Sequence, residues 1–125
     1  MVEISSVIPP GRRMIDGYPA GGFRISGGLF HGPMLVWPES QEPWSPERIE
    51  DLTLAHLDPV RRIDPPVEVL LIGCGPRMVL LPSALRRQIR EAGIGMDAMD
   101  TGAACRTFNV LISEGRRVAA ALIPV

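Results

Sequence analysis

The chain has 125 residues, 46% of them apolar and 22% charged, which suits one compact domain with a buried core and excludes a disordered chain. Its net charge of −1, from 13 basic and 14 acidic side chains, lacks the basic excess of a dedicated nucleic-acid binder. All 13 basic residues are arginine, which removes lysine Schiff-base chemistry and a phosphate-loop lysine together.

In chain order, residues 1–12 read as a flexible N-terminal segment and residues 13–125 as a single globular domain. The first residues lack both the long apolar core of a secretory signal and the Arg-rich amphipathic pattern of a mitochondrial presequence. No apolar run approaches the roughly 18 residues of a membrane span. A cytoplasmic bacterial protein with reduced Cys74 and Cys105 is therefore expected.

Short apolar runs at 23–26, 29–31 and 34–37 lie between Gly21-Gly22, Gly27-Gly28, Gly32-Pro33 and Pro38, the pattern of antiparallel strands joined by tight turns. Trp37 and Trp44, beside Pro38 and Pro43, are expected to cover a core edge. Ser45-Pro46-Glu47 is a helix-start signal, and Ile49, Leu52, Leu57 and Ala55 fit one face of a short helix ending near Asp58-Pro59.

From residue 67 the pattern becomes regular. Residues 67–72 are nearly all apolar, as in a strand covered on both faces, and run into Gly73-Cys74-Gly75-Pro76. A helix follows from Pro82 to Ala92, with Gly93 beyond its end, then a strand over 94–99. Thr101 is expected to cap a helix reaching Glu114, closed by Gly115, and 117–123 form a last buried strand. The implied architecture is α/β: βαβ units in the C-terminal half, strands 67–72 and 94–99 parallel, and an antiparallel N-terminal meander. The direction of the last strand stays open.

Projected at 100° per residue, the helix after Thr101 carries Gly102, Arg106, Asn109 and Ser113 on a polar stripe. Ala104, Thr107, Phe108, Leu111 and Ile112 face the other way, and Cys105 lies on the boundary. A boundary thiol near a helix N-terminus can be partly accessible with a lowered pKa. The dipole effect fades after the first turn, however, and Cys105 is already the fourth helical residue. A packed or semi-buried cysteine is therefore the expected reading, and an accessible one the alternative. Cys105 has no base with a linking signature, because His31 and His56 are remote in sequence. No Cys/His spacing is zinc-like, and Gly73-x-Gly75 lacks the third glycine of a dinucleotide fingerprint, so neither a metal nor a cofactor is implied.

Open α/β sheets bind ligands beyond the C-terminal ends of their parallel strands. Gly73, Cys74, Gly75 and Arg77 with Asp100, Thr101, Cys105 and Arg106 therefore make a candidate corner for a small molecule or anion. Asn109 extends this surface, and Arg116 and Arg117 are candidates for contact with a protein partner.

The segments "PMLVWP" at 33–38, "LLIGCGP" at 70–76 and "MDTGAACRTFNVLISEGRRVAAALIP" at 99–124 resemble a small domain family long described only as a domain of unknown function. Its mitochondrial member is NADH dehydrogenase (complex I) assembly factor 3. The resemblance spans about residues 13–124 and implies a three-layer β/β/α fold with a mixed central sheet. It also implies a soluble, non-enzymatic binding or assembly module whose partners are respiratory-complex subunits or assembly factors. Thr101, Ala104, Arg106, Thr107, Asn109, Glu114, Arg116 and Arg117 match the family's pattern. Cys74 stands where the family commonly has threonine, and Phe108 where it has tyrosine, so the resemblance carries over neither a required thiol nor a phenol.

Overall fold

A computed structural model describes residues 11–125. The strands are β1 (Ile15–Gly17), β2 (Gly22–Ile25), β3 (Gly28–His31), β4 (Met34–Trp37), β5 (Ser40–Pro43), β6 (Val69–Gly73), β7 (Met96–Met99) and β8 (Val118–Leu122). The helices are α1 (Asp58–Arg61), α2 (Ser83–Glu91) and α3 (Thr101–Ser113), with 3-10 turns at Ile49–Asp51 and Leu54–Leu57. Most of the expected flexible segment 1–12 lies outside the described residues. Its last residue, Arg12, is tied to Glu39 at 2.8 Å.

β1, β2 and β3 form an antiparallel sheet. The β2–β3 turn has two residues, Ser26 and Gly27, both at positive φ, as the right-handed twist of a two-residue hairpin requires. The larger sheet runs β5-β4-β8-β6-β7. β6 is parallel to both β7 and β8, and β4 joins β8 antiparallel, which settles the direction of the last strand and mixes the sheet.

β8 sits at the centre, and alternation assigns its side chains. Val118, Ala120 and Leu122 enter a core with Phe23, Ile25, Val36, Leu71 and Phe108. Ala119, Ala121 and Ile123 enter the opposite core with Leu35, Leu70, Ile72, Leu85 and Ile89. The small sheet and α3 thus cover one face, and α2 with the short helices covers the other, giving three layers around the mixed sheet. Trp44 is buried in the second core, with its indole N–H on His56 O at 2.9 Å.

The single helix expected after Ser45 is instead two 3-10 turns and the short α1. Thr53, with φ −128° and ψ 166°, is extended and interrupts the run, and its N–H donates to His56 Nδ1 at 2.9 Å. Ile49, Leu52 and Leu57 are buried as expected, whereas Ala55 is exposed. β5 is a further difference. Its sequence, Ser-Gln-Glu-Pro, reads as loop because an edge strand has no need of apolar alternation.

Candidate functional site

The two expected loops meet at the C-terminal ends of the parallel strands, and Thr101 joins them. Its N–H donates to Gly75 O at 2.9 Å. Its hydroxyl accepts from Gly75 N–H at 2.8 Å and donates to Ile123 O at 2.6 Å. Ile123 N–H in turn donates to Gly73 O at 2.9 Å. Gly73 must lack a side chain here, because a Cβ would come within 2.9 Å of both Leu122 Cδ2 and Thr101 Oγ1. Thr101 is fully buried, so this knot is structural material rather than an open cradle.

Asp100, not Thr101, caps α3. Its carboxylate accepts from Ala103 N–H at 3.0 Å, leaving the threonine hydroxyl for the strand ends. The protein's own Asp100 carboxylate and Gly75 carbonyl therefore take helix N–H groups that an anion would need. Above the next residue lies Tyr18. A Cβ on Gly102 would meet its hydroxyl at 2.8 Å, which explains why Gly102 is buried although it projects onto the polar stripe.

The sheet separates the candidates. Cys74 and Arg77 belong to the α2 side, where they line a cleft of about 390 Å³ with Arg48, Ile49, Val79 and Ile123. Cys105, Arg106 and Asn109 belong to α3 on the other side. The two free cysteines enter different cores and are not placed to pair. Cys105 is 3% exposed, and burial pushes its thiol up to about 12. Burial also raises Cys74. The alternative of an accessible, acidified Cys105 is thus removed and the packed reading stands: its helical position turns inward beside Ala104 and Phe108, and desolvation outweighs the Arg106 charge.

Asn109 clamps β1 to α3. Its Nδ2 donates to Ile15 O, and its Oδ1 accepts from Ile15 N–H, both at 2.8 Å. Arg106 Nη1 donates to Tyr18 Oη at 3.4 Å.

Arg116 and Arg117 lie at the other end of α3, about 20 Å along a helix of this length. Arg117 makes a bidentate contact with Glu39, Nη1 to Oε2 at 2.6 Å and Nη2 to Oε1 at 3.1 Å. It also donates to Pro65 O at 2.6 Å and Pro66 O at 3.2 Å. The Arg117 hydrogen bonds hold the Glu39 carboxyl below its usual value and raise Arg117 in return. Arg116 pairs with Glu68 at 2.9 Å and lowers its pKa the same way. Tyr18, Glu39 and Glu68 are the partners that sequence reasoning missed, because each lies 48 to 88 residues from the arginine it meets and no local spacing marks it.

The family model described as "Protein of unknown function (DUF498/DUF598)" matches residues 15–123, from the start of β1 to just past β8. An uncharacterized protein of Rhodobacter capsulatus is 39% identical over 111 residues, covering 89% of this chain and 84% of its own length. NADH dehydrogenase [ubiquinone] 1 alpha subcomplex assembly factor 3 of Xenopus tropicalis and of Homo sapiens are each 36% identical over 110 residues and 88% of this chain. The chain spans 60% of the length of those assembly factors. A crystal structure of a Bordetella parapertussis protein superposes with a TM-score of 0.82 at 34% identity, covering 94% of this chain and all of that one. A protein of Bartonella henselae, described as an outer membrane protein, gives 0.81 at 40% identity, covering 93% and 98%. A Bordetella pertussis protein described as a Mth938-like domain gives 0.75 at 28% identity, covering 99% and 90%. With the family's model matched across both sheets and all three helices, the chain belongs to the DUF498/DUF598 family.

Proposed function

We propose that the chain is a non-enzymatic protein-binding module that assists assembly of respiratory complex I. The observation that carries this reading is its 36% identity, over 110 residues, to proteins described as complex I assembly factors. The chemistry of the candidate residues supports it. Thr101 and Asn109 are consumed in holding elements together, and neither thiol is poised as a nucleophile. Arg77, Arg106 and Arg116 remain exposed at three separate places, as contacts on a partner surface would be. Among the described residues, no helix is long and apolar enough to cross a membrane. A cytoplasmic location belongs to the same proposal, and cell fractionation tests it.

The test is quantitative mass spectrometry of proteins recovered with the tagged chain expressed at its native level. Enrichment of complex I subunits or their assembly intermediates over an untagged control is the expected result. A folded chain that recovers none of them contradicts the reading.

A second reading, a small-molecule site, rests on the cleft of about 390 Å³ at the strand ends. It is lined by Ile49, Val79 and Ile123 with Glu47, Glu50, Arg48 and Arg77, of which Arg48 pairs with Glu50 at 3.5 Å. The cleft takes a small, largely apolar ligand with one carboxylate for Arg77. A ligand at a hundred times its Kd would stabilise the fold by about 2.7 kcal/mol in a thermal-shift screen. A shift that survives Arg77→Ala sinks this site.

A further inference from the structure

Among the described residues, β7 ends the larger sheet and pairs only with β6. Leu70 N–H donates to Gly95 O at 2.7 Å and Cys74 N–H to Met99 O at 2.8 Å, so alternate residues of this strand face β6. The parallel ladder then leaves the N–H and C=O groups of Met96 and Ala98 pointing out of the sheet. An edge of this kind is a template for an added strand.

Two adjoining depressions follow that edge on the α2 side. One, about 190 Å³, lies against Met96 and Ala98 under Met78 and Leu80. The other, about 290 Å³, runs from Ile89 to Ile94 under Arg86 and Arg90. They share Arg86 and Met96 and so form one groove, mostly apolar with Asp97 at one end and basic at the other. Met78 and Leu80 are 53% and 70% exposed. Among the described residues, Arg86, Arg87 and Arg90 have no carboxylate within ion-pairing distance.

Charge selects the occupant. A second copy added across β7 about a twofold axis would place both α2 helices on the same face of the joined sheet. Their arginine rows would then adjoin with no acidic row between them. A partner strand with its acidic residues at the Arg86–Arg90 end, away from Asp97, meets no such repulsion. We propose that the β7 edge and the arginine row of α2 form a docking groove for an extended segment of a partner protein. Side chains on one face of that segment recur every second residue. The segment therefore carries a large apolar residue against Met78 and Leu80, and acidic residues two or four positions away against Arg86 and Arg90. This inference rests on the protein-binding reading above and gives that reading a surface and a partner chemistry.

Selection from a library of random short peptides, using the whole chain as bait, tests it. Enriched peptides should share that spacing of apolar and acidic residues. Their affinity should fall about tenfold or more in an R86E/R90E variant, which leaves the sheet untouched, and in Ala98→Pro, which removes one outward N–H. Enrichment of other patterns, no enrichment, affinity unchanged in R86E/R90E, or a dimer broken by Ala98→Pro would overturn it. Recovery of complex I subunits despite such a result would leave the protein-binding reading standing and remove only the groove.

Discussion

Thr101 shows how one side chain can hold a fold together. Replacing it with valine keeps the shape but strands Gly75 N–H and Ile123 O in the core. We expect a loss of about 2–4 kcal/mol in urea unfolding, with Thr101→Ser retaining most of the stability. The thiols make a second prediction at this scale. Neither Cys74 nor Cys105 should react with an aromatic disulfide reagent at mildly alkaline pH in the native state, and both should react on unfolding. Rapid native labelling of Cys105 would contradict its placement in the core. The helical projection placed Phe108 and Ile112 correctly in the core, because helical periodicity records burial. It missed the burial of Gly102 and Cys105, because those depend on Tyr18 and on how closely an alanine-lined β8 lets α3 approach. Such contacts join residues far apart in sequence, and no local pattern encodes them.

Between elements, Arg117 binds the start of β8 to the β4–β5 turn and to Pro65-Pro66. Glu39 is depressed in the folded state, so its contribution is fully present above its unfolded pKa and is lost as pH falls through the folded value. The acid limb of stability should therefore flatten in Glu39→Gln, measured by urea unfolding from neutral pH downward. The Glu39 side chain is 45% exposed, so solvent screening keeps the effect below about 1 kcal/mol. An acid limb identical to wild type would show that the pair contributes nothing. β6, α2, β7, α3 and β8 were legible because buried parallel strands and amphipathic helices leave long apolar signals. β5 and the 3-10 turns were not, since a polar edge strand and an extended Thr53 leave no periodicity to read.

For the molecule as a whole, β8 lies between β4 and β6 and contributes side chains to both cores. Deleting residues 118–123 should abolish cooperative thermal unfolding, and near-native melting would refute its central role. The sheet centred on β8 keeps Cys74 and Cys105 in opposite cores, so side chains from two loops that meet at Thr101 end up on different faces. Among the described residues, the surface carries a set of exposed arginines and a β7 edge without a further strand, the features on which the proposed protein-binding role rests. The most direct test of that account is the amount of assembled complex I, resolved on native gels, in cells from which the gene for this chain has been deleted. The account predicts a several-fold fall that the reintroduced chain restores, and an unchanged amount of complex I would contradict it.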